Sequence, residues 1–190
     1  ANYQAEVPLK HEITCKGFVV SVEGRADGVI RQTEGVVIDE IKGIFRELKH
    51  LEEPIGVHLA QAKCYAYIYA YDHELKEIGV QMTYCNLETE EIKRFQSVYS
   101  FETLKAWFYE LLGRYEKWAR YQIEWKKKRD ASIKQVVFPF VYREGQKELA
   151  ASVYRTILRR KKLFIQAPTG VGKTISTVFP AVKAVGEGLG

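Results

Sequence analysis

One stretch of the sequence, residues 35–43, limits the possible folds more than any other. Its letters are G-V-V-I-D-E-I-K-G, so small and apolar residues lead into acidic residues, a lysine and a glycine. In a β-strand, successive side chains alternate between the two faces. Glu40 and Lys42 are therefore expected on one face, and Asp39 on the other. A carboxylate beside an ammonium group at the end of a buried strand suits metal-assisted hydrolysis.

A second carboxylate lies in the preceding β-rich run. Asp27 belongs to G-R-A-D-G-V-I, thirteen positions before Glu40, and a polar segment separates the two runs. This pattern predicts a β-hairpin, in which Asp27 lies across from Glu40 on the neighbouring strand. Two carboxylates that converge there favour a hard cation such as Mg²⁺ or Mn²⁺. Asp39 is not a first-choice ligand, because alternation places it on the face of the strand opposite Glu40. A β-bulge would reverse that.

The segment after the hairpin has helical spacing. A helix is predicted from residue 56 or 57 to about Tyr71, and it places Gln61 and Tyr65, four residues apart, on one face. His58 lies three residues before Gln61 and is expected to be a packed helix histidine rather than a ligand. The helix lies between strand-like segments, which favours an α/β core.

The remaining strands are predicted from alternation and from turn residues. Residues 1–17 indicate an edge strand with proline at its margin, and Glu6 there is expected to be a surface carboxylate. Residues 78–87 and 91–99 indicate a further pair of strands. The predicted architecture is a mixed sheet with a helix on one face.

Three of these motifs, G-R-A-D, V-V-I-D-E-I-K-G and Q-A-K-C-Y, resemble in their order the motifs of RecB-type PD-(D/E)xK nucleases. The resemblance covers roughly residues 5–100. It implies a restriction-endonuclease-like mixed sheet with flanking helices and a metal-dependent DNA nuclease. It also implies that Asp27 and Glu40 bind Mg²⁺ or Mn²⁺, with the Ile41 carbonyl as a third ligand, and that Lys42 is the catalytic lysine.

By the same resemblance, Gln61 and Tyr65 help to position DNA or the metal site. The family's first motif lies on a helix before the first strand, often with a histidine, whereas strand-like sequence begins here almost at Ala1. Some relatives carry a four-cysteine iron–sulfur cluster. No such cluster is expected in this chain, because its three cysteines are isolated. Their spacing also argues against a structural zinc site and favours a reducing compartment.

A long helix is predicted after Ser100, which is a suitable N-cap with Thr103 at the third position. Apolar residues repeat with a 3.6-residue period as far as Trp125, and a basic run follows. Basic residues either favour the helix C-terminus and solvent or contact DNA phosphates, and both interpretations stay open. The run consists of Lys126, Lys127, Lys128 and Arg129.

The strongest single motif is A-P-T-G-V-G-K-T, at residues 167–174. It follows an apolar run at 163–165, interpreted as a strand, and precedes a predicted helix, which is the context of a phosphate-binding loop. Backbone N–H groups and the helix N-terminus bind phosphate oxygens. In that geometry Lys173 reaches the β- and γ-phosphates and Thr174 reaches Mg²⁺. The glycines of this loop are Gly170 and Gly172.

Upstream, R-E-G-Q at residues 143–146 precedes another predicted helix. This order resembles the start of superfamily 2 DNA helicases of the XPD/DinG type, over about residues 143–190. The resemblance implies that Gln146 recognises the adenine of ATP. Because no Walker B motif, arginine finger or second motor lobe follows, we expect a fragment of a longer nuclease–helicase. This segment is expected neither to hydrolyse ATP nor to bind it well.

The predicted organisation is a nuclease-like domain at 1–130, a linker at 131–142 and a truncated RecA-like segment at 143–190. The formal charge of +5 and the pI near 9.0 favour an anionic partner such as DNA. No apolar run approaches the roughly 18 residues of a membrane span, and no secretory signal is evident. A cytoplasmic protein without a membrane partner is expected.

Three functional interpretations remain open. The first is a metal-dependent, exonuclease-like DNA nuclease joined to an ATP-dependent helicase in DNA processing or repair. The second is an ATP-driven helicase whose nuclease-like region only binds DNA or supports the structure. The third is an inactive α/β domain. The first two differ in whether Asp27, Glu40 and Lys42 perform chemistry.

Overall fold

The computed structural model describes residues 2–189, and the chain divides into two compact units between Glu116 and Lys117. All five strands belong to the first unit. The elements there are β1 (Asn2–Cys15), β2 (Phe18–Gln32), β3 (Gly35–Ile44), a 3₁₀ turn (Leu48–His50), α1 (Gly56–Asp72), β4 (Glu77–Asn86) and β5 (Ile92–Ser100). A long helix, α2 (Phe101–Gln135), follows. The predicted α/β class with a mixed sheet and a long helix is confirmed.

The sheet has the strand order β1-β2-β3-β4-β5. The pair β3–β4 is parallel, and every other neighbouring pair is antiparallel. Parallel neighbours need a crossover connection, and α1 supplies it between β3 and β4. The predicted strand pair after α1 is confirmed as β4 and β5.

The predicted hairpin is formed by β2 and β3. Their pairing runs from Gln32–Gly35 to Gly28–Asp39, so a two-residue turn joins the strands. The sheet begins at β1, which is the expected edge strand. Its pairing with β2 stops after the pair Ala5–Gly28 and resumes at Val7–Ala26, so that one residue of each strand is skipped.

The core of the first unit involves the face of α1 that contacts the sheet. Ala62, Ala66 and Ile68 on α1 are completely buried, as are Val29 and Ile38 on the hairpin strands. Burying a side chain the size of isoleucine contributes about 1.5–3 kcal/mol. The helix start predicted at residue 56 or 57 is confirmed at Gly56. The packing of α1 against the sheet also fixes the positions of Gln61 and Tyr65 on this helix.

The beginning of α2 is fixed by a cap and by buried apolar residues. The amide of Thr103 donates to Ser100 Oγ at 3.2 Å, as the sequence predicted, and Leu104 is fully buried. The helix continues to Gln135, so the first residues of the predicted linker, 131–135, are helical. Lysine, arginine and alanine are good helix formers, which allows the helix to pass through the basic run.

The second unit contains α3 (Gln146–Leu158) and α4 (Lys173–Gly186), which pack against each other. The prediction of a strand at residues 163–165 is wrong, because residues 161–168 have no regular structure. Leu163 and Phe164 are exposed. A strand needs a neighbour to accept and donate backbone hydrogen bonds. No described residue of this unit forms a strand. No helix among residues 2–189 combines the length and apolarity required to cross a membrane.

Candidate functional site

The end of β3 carries a buried ion pair. Glu40 is 1% exposed, and its Oε1 lies 2.5 Å from Lys42 Nζ. The Lys42 side chain is 23% exposed, so the pair lies where the core meets solvent. These two residues share a face of β3, as alternation predicted.

Asp39 faces away from this ion pair. Its Oδ1 accepts hydrogen bonds from Thr83 Oγ1 at 2.7 Å and from Gln81 Nε2 at 2.9 Å. In the parallel register Gln81 pairs with Asp39, whereas Met82 pairs with Glu40. The pairing of β3 with β4 is continuous from Val37 to Ile44, so no β-bulge moves Asp39 to the face of Glu40. Asp39 is therefore a hydrogen-bonded residue of the opposite face.

Asp27 meets β3 one step beyond the last regular pair of the hairpin. That pair is Gly28–Asp39, and beyond it the amide of Ile41 donates to Asp27 Oδ2 at 2.7 Å. A side-chain carboxylate thus replaces the main-chain acceptor that a continued ladder would supply. The hairpin therefore brings Asp27 next to Glu40, on the neighbouring strand.

The electrostatics of Glu40 are dominated by its burial. Burial raises the pKa of Glu40, the hydrogen bond from Lys42 opposes this, and the charges of Asp27 and Asp39 raise the pKa further. Glu40 Oε2 is buried without a hydrogen-bond partner among the described residues. An unsatisfied buried oxygen of a carboxylate is unfavourable. A cation at this oxygen would remove the penalty.

The donor set at this rim fits a hard cation, because Asp27 and Glu40 both offer carboxylate oxygens. Within residues 2–189 no group of three or more Asp, Glu, His or Cys side chains is placed to share a metal ion. A cation held by Asp27 and Glu40 would therefore complete its coordination with main-chain oxygens or water. The Ile41 carbonyl remains a predicted ligand.

The predicted pair on α1 is formed. Gln61 Nε2 donates to Tyr65 Oη at 3.1 Å. A Cβ atom added at Gly24 would lie 2.5 Å from Tyr65 Oη and 2.9 Å from its ring, so Tyr65 packs on the bare backbone of β2. The glycine that opens G-R-A-D is therefore a packing requirement, which sequence reasoning did not recognise. The contact holds α1 against β2 at Gly24, which is three residues before Asp27.

A second helix–sheet contact involves Tyr84 on β4, which sequence reasoning also missed. His58 Nδ1 lies 3.3 Å from Tyr84 Oη, and the amide of Ile55 donates to the same oxygen at 2.9 Å. Burial lowers the pKa of His58, and the charge of Lys42 lowers it further. The packed histidine expected from the sequence thus lies close to the ion pair. Only the parallel register, which pairs Lys42 with Tyr84, brings these residues together.

In the second unit, the predicted phosphate-binding loop leads directly into α4. Gly170 and Gly172 have φ values of 88° and 76°, in the left-handed region that favours glycine. Lys173 Nζ donates to the carbonyl oxygens of Ala167 at 3.0 Å and Pro168 at 2.7 Å. Thr174 is exposed at the start of the helix. The ammonium group of Lys173 is therefore hydrogen-bonded to carbonyl groups of its own loop.

Gln146 links α3 to this loop. Its Oε1 accepts from the Arg143 amide at 2.8 Å, and its Nε2 donates to the Val171 carbonyl at 2.9 Å. Arg143 Nη1 donates to the Gly170 carbonyl at 2.6 Å. The structure thus gathers the predicted ATP-binding residues, with both ends of the Gln146 amide already hydrogen-bonded within the protein.

The basic run on α2 divides into two parts. Its lysines are exposed. Arg129 is paired with Asp130, whose Oδ1 lies 2.7 Å from Nη2 and 2.8 Å from Nε. The three available cations of the run are Lys126, Lys127 and Lys128.

No protein-family model and no curated protein matches the chain. The chain is similar to a solved structure titled "Crystal structure of SSO0001", with 26% sequence identity and a TM-score of 0.39. The match covers 50% of this chain and 41% of that one. The strands and helices of the structure itself define a mixed α/β protein, in which Asp27, Glu40 and Lys42 lie at one edge of the sheet.

Proposed function

We propose that the first unit is a divalent-metal-dependent DNA nuclease domain of the PD-(D/E)xK type. The observation that carries this proposal is the meeting of Asp27, Glu40 and Lys42 at one rim of the sheet, with Glu40 Oε2 buried and unpartnered. The hairpin, the crossover helix α1 and the parallel pair β3–β4 support the restriction-endonuclease-like fold expected from the sequence motifs. The reaction is hydrolysis of a phosphodiester bond, in an exonuclease-like manner.

Each side chain has a distinct task in that reaction. Asp27 and Glu40 hold Mg²⁺ or Mn²⁺, which when bound supplies a Lewis acid and lowers the pKa of its water. Lys42 is oriented by Glu40 Oε1 and directs its remaining N–H groups to the attacking water or to a phosphate oxygen. Negative charge that develops on the phosphate is stabilised by the Lys42 ammonium. Gln61 and Tyr65 help to position the DNA or the metal site.

For the second unit we propose the nucleotide-binding start of an ATP-dependent DNA helicase joined to the nuclease. Lys173 would exchange the carbonyls of Ala167 and Pro168 for the β- and γ-phosphates of ATP, and Thr174 would reach Mg²⁺. Gln146 would turn part of its amide toward adenine. The exposed lysines of α2 would contact DNA phosphates, whose binding is then strongly salt-dependent.

The decisive experiment measures cleavage of end-labelled DNA by the full chain with Mg²⁺ or Mn²⁺. The variant Lys42→Ala should abolish cleavage while the fold survives. A matched control is Lys10→Ala, because Lys10 forms the same kind of pair with Glu12, at 2.7 Å on β1, but on an exposed surface. The control should cleave like the wild type.

A wild-type chain that binds DNA but cuts none of it with either metal would contradict the nuclease proposal. That result would favour the helicase interpretation, in which the first unit only binds DNA. Equal loss of cleavage in Lys42→Ala and Lys10→Ala would also contradict the assigned role of Lys42.

A further inference from the structure

We propose that His58 contacts the nucleic-acid substrate, its neutral imidazole donating a hydrogen bond from Nε2 to a phosphate oxygen beside Lys42. This inference rests on the proposed function and deepens it, because it adds a substrate-binding residue outside the carboxylate–lysine set. It concerns the anionic backbone of the substrate rather than its bases.

The hydrogen bonds around Tyr84 are compatible with a neutral His58 whose proton is on Nε2. Tyr84 Oη accepts from the Ile55 amide at 2.9 Å and lies 3.3 Å from His58 Nδ1. A tyrosine hydroxyl has one proton to donate. In the arrangement that we propose, the oxygen accepts from the Ile55 N–H and its own proton goes to Nδ1. Nδ1 is then the acceptor, and the imidazole carries its own hydrogen on Nε2.

The strand register places this imidazole next to the proposed catalytic lysine. Tyr84 on β4 pairs with Lys42 on β3 in the parallel ladder, so their side chains emerge side by side on the same face. The charge of Lys42 and burial both lower the pKa of His58, so the neutral ring is favoured. On α1, His58 and Gln61 are three residues apart and therefore share a face.

The exposed chemistry of this cluster suits an anionic oxygen. The structure shows no partner for His58 Nε2 among residues 2–189, and the ring is half-buried. An Nε2–H group and the Lys42 ammonium are both donors, so together they fit a phosphate. A metal-binding role would need a free lone pair on the imidazole. In the proposed tautomer the Tyr84 hydroxyl occupies the lone pair of Nδ1, and Nε2 carries a proton.

Nuclear magnetic resonance of the full chain with ¹⁵N-labelled histidine tests this directly. The free protein should show His58 as the neutral tautomer with hydrogen on Nε2. A short single-stranded oligonucleotide, added with Ca²⁺ to prevent cleavage, should shift the Nε2 resonance. His73 is the internal control, because it lies just beyond the other end of α1 with its Nδ1 2.9 Å from the Tyr69 carbonyl oxygen, and it should not respond.

An Nδ1–H tautomer, or a His58 resonance that the oligonucleotide leaves unchanged, would overturn the inference. This readout does not depend on catalysis. Absence of DNA cleavage by the wild type would count against the nuclease proposal alone, and the resonance would still decide the role of His58.

Two substitutions separate a substrate contact from a packing role. Glutamine can place its amide N–H near the position of Nε2, whereas asparagine reaches only the position of Nδ1. His58→Asn should slow single-turnover cleavage about 10- to 100-fold, as expected for losing a hydrogen bond to a charged group. His58→Gln should stay within a few-fold of the wild type. A purely structural histidine predicts the reverse order, and that result would overturn the inference.

Discussion

The main-chain amide of Ile41 donates a 2.7 Å hydrogen bond to the carboxylate of Asp27. Regular pairing of β2 with β3 ends just before this contact, at Gly28–Asp39. One oxygen of Asp27 thus replaces a main-chain acceptor of the sheet, and in the proposed site the other oxygen would bind the cation. The proposed metal site and the end of the regular hairpin pairing therefore share the side chain of Asp27.

This dual role predicts different behaviour for two substitutions of Asp27. Asp27→Asn keeps an oxygen that can accept from the Ile41 amide, so its stability should lie within about 0.5 kcal/mol of the wild type. Asp27→Ala leaves that N–H group without its partner and should lose about 1 kcal/mol. Urea denaturation checks both values. Both variants should lose Mn²⁺ binding, and equal stabilities would contradict the structural role.

Burial of Glu40 predicts a stability–function conflict. Its folded-state pKa is raised above the unfolded value of 4.5, so the stability that this group contributes is full below about pH 4 and is lost as pH rises through the folded pKa. Without metal, Glu40→Gln should therefore unfold at a higher temperature than the wild type at pH 7–8. The gain should appear as a higher midpoint of thermal unfolding for Glu40→Gln at pH 7–8 and should vanish below about pH 4, where Glu40 is protonated in both states.

The control for this prediction is Glu12→Gln on β1. Glu12 is exposed, and its hydrogen bond with Lys10 lowers its pKa, so its contribution has the opposite sign and is lost as pH falls. Glu12→Gln should show no gain at pH 7–8. Saturating Mn²⁺ should stabilise the wild type and not Glu40→Gln. A Glu40→Gln variant less stable than the wild type at pH 8 would contradict the assignment.

The contact between Gly24 and Tyr65 predicts that Gly24→Ala is damaging. The new methyl group would lie 2.5 Å from Tyr65 Oη, and overpacking of this kind costs about 1–3 kcal/mol. Displacement of Tyr65 would also break its hydrogen bond with Gln61. Gly113→Ala is the matched control, because nothing lies within 4 Å of the added carbon and alanine favours the helix by about 1 kcal/mol. Thermal unfolding should rank the two variants on opposite sides of the wild type.

The closed loop of the second unit predicts weak nucleotide binding by this chain. ATP must displace Lys173 from the carbonyls of Ala167 and Pro168 and must compete for the amide of Gln146. Calorimetric titration with Mg·ATP should therefore show affinity weaker than micromolar. Micromolar binding that Lys173→Ala abolishes would contradict this prediction.

The sequence predicted those features that depend on local pattern. Alternation assigned Glu40 and Lys42 to one face of β3 and Asp39 to the other, and the cap at Ser100 was correct. The strand at residues 163–165 was wrong, because an apolar run shows only that a segment can pair and not that a partner exists. The helical state of residues 131–135 was also missed, since a basic run is compatible with both a helix and a loop.

Long-range contacts could not be predicted in the same way. Tyr84 carries no motif, and its relation to Lys42 exists only in the parallel register of β3 with β4. The requirement for glycine at position 24 depends on where Tyr65 packs. In both cases the sequence contains the residues but not the distance between them.

The hydrogen bonds of Thr83 and Gln81 to Asp39 have a consequence for the opposite side of the sheet. A shift of β3 by one residue would exchange the faces of Asp39 and Glu40. The shifted strand would lose two hydrogen bonds to a buried carboxylate and would carry Glu40 and Lys42 together to the other face, away from Asp27. The hydrogen bonds of Asp39 on one face of the sheet thus help to hold β3 in the register that keeps Glu40 and Lys42 beside Asp27 on the other face.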